Sequence, residues 1–273
     1  MICGGARFAP YVEILRRCQR CGFVTAEVEP GVDVRQLYDG LYFKGEEYLD
    51  YEADEAFFRR NFRKRLADVL KHRSHGRLLE IGSAYGFFLD LARQHFDVVG
   101  FEVNQEAVRH GREKLGLDVR SSDFLEASTA DLGGPIDVTV MWDVIEHLDR
   151  PDRFIEHVAD VSNPGAVIHI TTGDIGSWLA RARGRQWRMI HPPTHLHYFD
   201  RQTLPRLLER FGFKTIDVRS VGVARSIRQV MYSIFVLHLK QPSLFEKLSR
   251  IVPASAGFTL NTFDIMHVTA IRE

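Results

Sequence analysis

A strand, a turn and a helix between residues 78 and 89 constrain the fold of this chain more than any other feature. The apolar run from Leu78 to Ile81 contains a carboxylate at Glu80 and leads through two glycines into an apolar helical segment. Glycine has no Cβ, so Gly82 and Gly86 allow a ligand to come close to the backbone. Such turns hold nucleotide-like ligands at the carboxyl ends of strands. The segment therefore predicts an α/β fold with a ligand site at this turn.

The spacing of small residues in the turn narrows the class of ligand. A dinucleotide fingerprint needs small residues at the first, third and sixth positions, which here are Gly82, Ala84 and Phe87. Phe87 is too large for the close helix–strand packing around a pyrophosphate. Gly86 instead follows Ala84 by two residues, as in turns that hold adenosine and an amino-acid tail. The predicted cofactor turn consists of Glu80, Gly82, Ser83, Ala84 and Gly86.

This acidic-x-Gly-x-small-x-Gly turn resembles that of the class I S-adenosylmethionine-dependent methyltransferases, especially the ubiquinone-type, methyltransferase-23-like group. Ala84 departs from that family, which most often has glycine there. The segment from Asp143 to Leu148 closely matches the Ile-Glu-His segment of the same group. The resemblance implies S-adenosylmethionine as the cofactor and methyl transfer as the reaction.

Further cofactor contacts are expected after the next strands. Glu102 lies twenty positions after Gly82, and an acid at this distance can accept hydrogen bonds from both ribose hydroxyls. The resemblance gives Glu102 the same role, with Val103 beside it. It also implies that Asp123 accepts from the adenine amino group and that Phe124 lies against the ring, although Asp123 also fits a solvated loop acid. Asp143 is expected to contact the cofactor from a helix N-terminus.

Seven apolar segments alternate with helical stretches, which predicts a Rossmann-like, doubly wound, mostly parallel sheet with right-handed crossovers. The resemblance implies that the last of these strands is antiparallel. The segments are 78–81, 97–103, 119–120, 136–142, 166–172, 213–221 and 263–271.

The 273 residues allow one large domain with a small N-terminal appendage, and 45% hydrophobic residues suffice for its core. We expect a truncated zinc-ribbon-like segment at 1–28 and a lid with a helical lead-in at 29–75. The methyltransferase domain is expected at 76–273, with a helical insertion at 222–262 before the last strand.

The three cysteines all lie in the first twenty-one residues, at Cys3, Cys18 and Cys21. The two-residue gap between Cys18 and Cys21 suits one tetrahedral zinc ion, and Cys3 supplies a third ligand, whereas a closed site needs four. Related methyltransferases carry a zinc-ribbon-like module built from two such pairs, and the partner of Cys3 would fall just before Met1. A late recorded start, a decayed module, completion of the site by another side chain, and three free thiols all remain open. Disulfides are not expected in a reducing compartment.

Two histidines are candidates for a general base, because the unperturbed pKa of histidine lies near working pH. His147 follows the fourth strand and His195 follows the fifth, and either also fits a purely structural role. The resemblance offers a divalent metal at Asp143, Glu146 and His147 as a further alternative.

Six residues are candidates for acceptor contacts, each with ordinary packing or a solvated surface as the alternative. The resemblance implies a lid that carries two tyrosines. The Arg-rich loop from Trp178 to Arg188 suits a phosphate, a carboxylate or an aromatic ring. Metal binding by the histidines at 191, 195 and 197 is a weaker alternative. The candidates are Tyr48, Tyr51, Arg185, Trp187, His191 and His197.

Thirty-six basic and thirty-six acidic residues cancel, which argues against a general polyanion-binding surface such as one for nucleic acid. No apolar run is long enough to span a membrane, and no signal peptide is evident, so a cytoplasmic protein is expected. The expected acceptor is a small molecule or a sugar, including phosphate-bearing or lipid-linked ones, methylated on oxygen or carbon. The alternatives are a nicotinamide-dependent oxidoreductase and a catalytically silent cofactor-binding protein.

Overall fold

The computed structural model describes residues 2–5, 7–12, 14–27 and 50–273. The described strands are, in chain order, β1 (Phe8–Pro10), β2 (Leu15–Cys18), β3 (Val24–Ala26), β4 (Arg77–Ile81), β5 (Asp97–Phe101), β6 (Val119–Arg120), β7 (Ile136–Trp142), β8 (Ser162–Gly173), β9 (His197–Tyr198), β10 (Phe213–Ser220), β11 (Val223–Ser226), β12 (Gly257–Leu260) and β13 (Ile265–Arg272). The described α-helices are α1 (Glu55–Val69), α2 (Phe87–Ala92), α3 (Gln105–Arg109), α4 (Pro151–Val161), α5 (Trp178–Arg183), α6 (Thr203–Arg210), α7 (Ile227–Tyr232) and α8 (Pro242–Ser249).

The main sheet has seven strands in the order β10-β13-β8-β7-β4-β5-β6. Strands β4 to β8 pair in parallel, whereas β13 is antiparallel to both β8 and β10. This confirms the predicted Rossmann-like sheet with an antiparallel last strand. The chain runs outward from β4 to β6 and then returns to β7 on the other side of β4. Such a switch point opens a crevice at the carboxyl ends of β4 and β7.

The central strands are apolar on both faces because both faces are covered. Leu79 and Ile81 of β4 pack into one core cluster with Met141 of β7. Leu78, on the opposite face, packs into a second cluster with Val138 and the helical Phe88. Side chains alternate along a strand, so one short apolar run supplies two cores.

Helix α1 covers the second core cluster with an apolar stripe. Phe62, Leu66 and Val69 are buried against the sheet. Arg59 forms ion pairs with Glu55 and, at 2.7 Å, with Asp90 of α2. The predicted lid begins in residues that the structure does not describe, so the prediction for Tyr48 lies outside the described residues.

The N-terminal strands form a second, four-stranded sheet in the order β1-β2-β3-β9. Its first three strands make an antiparallel meander, and β9, which lies late in the chain, pairs with β3. The domain boundaries remain predictions. The N-terminal sheet nevertheless includes a strand from the part of the chain assigned to the methyltransferase domain.

The insertion at 222–262 contains a two-stranded ribbon, β11 and β12, in addition to helices. The helical part of the insertion begins as α7, which Ser226 caps, and continues as a π-helical segment, 233–238. The side chain of Asn61 forms two hydrogen bonds with the backbone of Ala224, joining the ribbon to α1. In the described part of the chain, no helix is both long and apolar enough to cross a bilayer.

Candidate cofactor and acceptor site

The glycine turn after β4 adopts a backbone that requires glycine at two positions. Gly82 has φ of 73° and Gly86 has φ of 82°, in the left-handed region. A Cβ at residue 82 would overlap the side chain of Val144, and one at residue 86 would lie 2.8 Å from Leu117 Cδ1. Ala84 also has positive φ, 45°, which costs an L-residue about 1–2 kcal/mol. The turn therefore tolerates alanine only with strain.

Two buried carboxylates flank this turn. Glu80 is 2% exposed, and its Oε2 has no hydrogen-bond partner among the described residues. Burial, together with the nearby Glu102, raises the pKa of Glu80 well above its usual value. Glu102 accepts hydrogen bonds from the backbone N–H groups of Ala84 and Asn104, both at 2.8 Å. A carboxylate has about four acceptor positions, so Glu102 can accept further donors.

The predicted adenine-side residues lie after β5 and β6. Asp123 accepts a hydrogen bond from Leu125 N at 3.0 Å and so caps a short 3₁₀ helix. Phe124 is 2% exposed and packs edge-on against Phe101 with ring centroids 5.3 Å apart. Val103 is 44% exposed. Their contacts with a cofactor remain predictions.

The segment after β7 is a turn, so the helix expected at Asp143 is wrong. Asp143 has φ of 58°, and its backbone N–H donates to Thr171 O at 3.0 Å. Its Oδ2 accepts from Arg65 at 2.8 Å. Although burial opposes ionisation, Arg65 lowers the pKa of Asp143. The next residue, Val144, fills the space that a side chain at Gly82 would need, so this turn and the glycine turn lie side by side.

Glu146, His147 and His195 converge beside this turn, with one potential ligand atom from each within 4.8 Å of the others. His147 Nδ1–H donates to Thr194 O and His195 Nδ1–H donates to Met189 O, both at 2.8 Å. In the neutral rings these hydrogen bonds place the lone pair on Nε2. The two imidazole centroids are 4.5 Å apart. We call these three residues the acceptor cluster.

Burial sets the protonation of the acceptor cluster. It lowers the pKa of His147 to about 4 and that of His195 well below its ordinary value. Burial and the neighbouring Asp143 raise the pKa of Glu146 to about 8. Both Glu146 carboxyl oxygens are buried and have no hydrogen-bond partner among the described residues. Burial thus favours the neutral form of all three side chains in the acceptor cluster.

A family model described as a methyltransferase domain matches residues 49–218. A protein of Mycolicibacterium smegmatis named "Probable S-adenosylmethionine-dependent methyltransferase" is 30% identical over 192 residues, which cover 68% of this chain and 70% of that protein. A ubiquinone biosynthesis O-methyltransferase of Brucella anthropi is 24% identical over 151 residues, covering 52% of this chain and 61% of that protein. The chain belongs to the methyltransferase domain family.

Solved structures agree with this fold. A SAM-dependent methyltransferase from Archaeoglobus fulgidus has a TM-score of 0.53 at 20% identity, covering 81% of this chain and 99% of that one. Magnesium protoporphyrin IX methyltransferase from Synechocystis, with bound SAM, has a TM-score of 0.54 at 10% identity, covering 90% and 100%. This chain is a class I S-adenosylmethionine-dependent methyltransferase, and that cofactor is its methyl donor. Family membership decides against the nicotinamide-dependent alternative.

Two of the residues predicted to contact the methyl acceptor are buried in the interior of the methyltransferase. Trp187 is 2% exposed, and its indole N–H donates to Asp264 at 2.8 Å. Tyr51 is 5% exposed and stacks on Phe58 and Tyr85, with centroids 3.8 and 5.4 Å apart. Their contacts with an acceptor or cofactor remain predictions.

The remaining predicted acceptor residues occupy three different environments. His191 stacks on His195 with centroids 3.8 Å apart. His197 lies at the N-terminal sheet, where Nε2–H donates to Asp149 O at 3.3 Å, and burial lowers its pKa to about 4. Arg185 is exposed on the segment after α5. Among the described residues, His195 lies in a cluster that could hold a metal ion, with Glu146 and His147, whereas His191 and His197 lie in no such cluster.

Sequence analysis did not predict a role for Arg65 and gave Glu146 a role only as a metal ligand. Arg65 pairs with Asp143 and lies over the ring of Trp142, 5.0 Å from its centroid. Its spacing from Phe62 and Val69 places it on the apolar face of α1, and a charge on that face was the available signal. Glu146 entered the sequence analysis only through the metal alternative, because nothing local distinguishes a buried glutamate without a partner from an exposed one.

Proposed function

We propose that this methyltransferase methylates a small-molecule acceptor on a hydroxyl oxygen or an acidic carbon, with His147 as the general base. The observation that carries the proposal is the acceptor cluster, Glu146, His147 and His195, on a turn that lies against Gly82. A base is needed because such acceptors lose a proton as they are methylated. His147 is the more exposed of the two histidines, and His195 buttresses its ring.

The residues around the glycine turn suit S-adenosylmethionine. Glu80 and Ser83 hold buried oxygens without hydrogen-bond partners among the described residues, and a carboxylate so placed would receive the ammonium group of the cofactor. The acceptor positions left on Glu102 would take the ribose hydroxyls. When bound, the cofactor supplies a sulfonium methyl carbon that is open to in-line attack. The residues of the chain then align the acceptor and exclude water.

The proton from the acceptor passes to Nε2 of His147. Burial lowers the pKa of this ring to about 4, whereas the hydrogen bond to Thr194 and the nearby Asp143 carboxylate favour its charged form. The hydrogen bond from Nδ1–H to Thr194 O holds the ring in the accepting tautomer and remains when the ring is charged. An imidazolium at this position would favour ionisation of Glu146, since opposite charges at close range stabilise each other. The carboxyl proton then leaves to solvent, and the imidazolium proton passes to the Glu146 carboxylate, so that both groups return to their neutral forms.

Three observations support finer features of the acceptor. Relatives named ubiquinone biosynthesis O-methyltransferase favour transfer to oxygen. Exposed arginines at 181, 183 and 185 favour a phosphate-bearing acceptor, including a sugar phosphate. Ile234 and Leu239 in the insertion are 47% and 53% exposed beside Lys240, which favours an acceptor with an apolar chain.

We also propose a zinc site at Cys3, Cys18 and Cys21, whose sulfur atoms lie within 4.8 Å of one another. Tetrahedral zinc with bonds of about 2.3 Å places its sulfurs about 3.8 Å apart, and the Cys3 and Cys18 sulfurs are 3.6 Å apart. A Cβ at Gly5 would lie 3.1 and 3.3 Å from these two sulfurs, so glycine keeps the space around them open. The fourth ligand would come from outside this group.

The acceptor proposal is tested with His147→Gln and the exposed control His75→Gln. We expect both variants to bind S-adenosylhomocysteine as the wild type does in calorimetry. Labelled methyl transfer to a panel of catechols, sugars and sugar phosphates should fall about 100-fold or more in His147→Gln, the scale for losing a general base. Wild-type turnover in His147→Gln would refute the base assignment, and transfer to peptides or RNA instead would refute the acceptor class.

A further inference from the structure

We infer that the three-cysteine meander is a zinc-dependent device that positions His195 in the acceptor cluster. We call residues 2–5, 7–12 and 14–27 the cysteine module. The inference rests on the proposed zinc site and on the proposed role of the acceptor cluster. It adds a physical connection between them, made through β3 and β9.

The cysteine module is too small to hold its own shape through a core. Its strands have three or four residues each, and its buried Ile2 and Phe23 pack into the core of the main domain and not into a core of the module's own. Domains below about 40 residues usually need a metal, disulfides or a partner surface. No disulfide joins these cysteines, because the Cys3 and Cys18 sulfurs are 3.6 Å apart, well beyond a disulfide bond. A metal is therefore the cross-link that these side chains can provide.

The cysteine cluster lies directly next to β3. Cys18 ends β2, and its N–H donates to Phe23 O at 2.8 Å across the turn that contains Cys21. Gly22, with φ of 81°, completes this turn and donates to Cys18 O at 3.0 Å. A metal between Cys18 and Cys21 would therefore fix the turn from which β3 begins.

Strand β3 in turn holds β9. Val24 pairs with Tyr198, and Thr25 pairs with His197. Ala26 N–H donates to Leu196 O at 2.7 Å. The Thr25 hydroxyl lies 3.0 Å from Nδ1 of His197 and 3.1 Å from Leu196 O, so it can donate to either.

Strand β9 leads straight into the acceptor cluster. The backbone N–H groups of Leu196 and His197 donate to Glu146 O at 2.9 and 3.1 Å. The Tyr198 hydroxyl donates to the backbone carbonyl of His195 at 3.0 Å. β9 belongs to the N-terminal sheet, where β3 is its neighbour, and not to the main sheet. The segment that carries His195 is therefore held between β3 on one side and the backbone of Glu146 on the other.

The experiment removes zinc from the full chain and measures the effect at the cysteines and at His195. Zinc per chain is measured before and after chelation, and cobalt is added back to detect thiolate-to-metal absorption. Imidazole nitrogen NMR signals report on His195, assigned by their loss in His195→Gln. Calorimetry with S-adenosylhomocysteine reports on the glycine turn. We expect about one zinc per chain, a shifted or broadened His195 signal after its removal, and S-adenosylhomocysteine affinity that changes less than about twofold.

A second variant tests the connection with zinc still in place. Thr25→Val removes the hydroxyl that faces His197 and Leu196 but leaves all three cysteines. We expect it to keep its zinc and to shift the His195 and His197 signals. Thr259→Val, on the exposed strand β12, is the matched control and should shift neither.

Each outcome tests a different part of the inference. A chain without zinc overturns the zinc site and this inference, and leaves the methyl-transfer proposal standing. If zinc is present but its removal leaves the His195 signals unchanged, the positioning role alone is overturned. Loss of S-adenosylhomocysteine binding together with the His195 signal would mean general unfolding, and would also overturn the local connection.

Discussion

The glycine turn and the acceptor cluster are neighbours in space but are built in opposite ways. The hydrogen bonds of the turn join residues close in sequence, 18 apart for Ala84 and Glu102 and 25 apart for Tyr85 and His110. The acceptor cluster depends on bonds between residues 47 apart, as for His147 and Thr194, or 172 apart, as for Thr25 and His197. A site built from neighbouring residues keeps its geometry when distant segments change. A site built from distant segments loses its geometry when any one of those segments is destabilised.

The largest effect that would sharpen this comparison is expected from Gly82→Ala. The new methyl group would require positive φ and would overlap Val144, so both the turn and the adjoining Asp143 turn must shift. We expect calorimetry to show S-adenosylhomocysteine binding weakened about 100-fold or more, since such strain costs about 1–3 kcal/mol before the overlap is counted.

Gly116→Ala is the matched control for this variant. Gly116 also has positive φ, 65°, but a Cβ there meets nothing within 4 Å. The control should lose stability and keep its affinity. Equal losses of affinity in both variants would show that backbone strain alone, without the overlap, governs the turn.

Glu102→Ala should weaken cofactor binding by roughly 1 to 3 kcal/mol, the scale for losing hydrogen bonds to a charged group. The variant also leaves the N–H groups of Ala84 and Asn104 without their acceptor. Titration calorimetry measures the effect, with exposed Glu126→Ala as the control. An unchanged dissociation constant would contradict the ribose role of Glu102.

Acid should destabilise the acceptor region before it affects the glycine turn. The pKa of His147 and that of His197 are lowered to about 4 by burial, so between about pH 6.5 and 4 the unfolded chain binds more protons than the folded one. Stability from these groups is therefore full above pH 6.5 and is lost as the pH falls, by about 1.4 kcal/mol for each pKa unit.

Denaturant unfolding at several pH values checks this slope. His147→Gln should flatten it, and His75→Gln should not. The same slope in the wild type and in His147→Gln would mean that His147 is as free to ionise in the folded chain as in the unfolded one.

The smallest effect is expected from Ala84→Gly. Relief of the left-handed alanine is worth about 1–2 kcal/mol, and the extra freedom of glycine in the unfolded chain offsets about half of it. We expect stability to rise by about 0.5–1 kcal/mol in thermal unfolding, with little change in cofactor affinity. Ala182→Gly, in the exposed part of α5, should instead lose about 1 kcal/mol. A loss of stability in both variants would place residue 84 in an ordinary backbone conformation.

Prediction from sequence succeeded where the signal was local. The central strands β4 and β7 were recognisable as apolar runs, because a strand covered on both faces must be largely apolar. The turn was recognisable because Gly82 and Gly86 meet a backbone requirement that few other residues satisfy. Prediction failed at Asp143, where a helix was expected and the structure has a turn. Arg65 and Thr171 hold Asp143 in this turn, and both lie far away in sequence.

The sequence by itself thus determined the strands of the main sheet and the glycine turn, because apolar periodicity and glycine spacing act over a few residues. Only the tertiary structure brought Glu146, His147 and His195 together, paired β9 with β3 and placed Arg65 beside Asp143. Those contacts join segments that a pattern along one strand or helix cannot relate. Their partners are chosen by burial and by hydrogen-bonding groups that must be satisfied once the chain is compact.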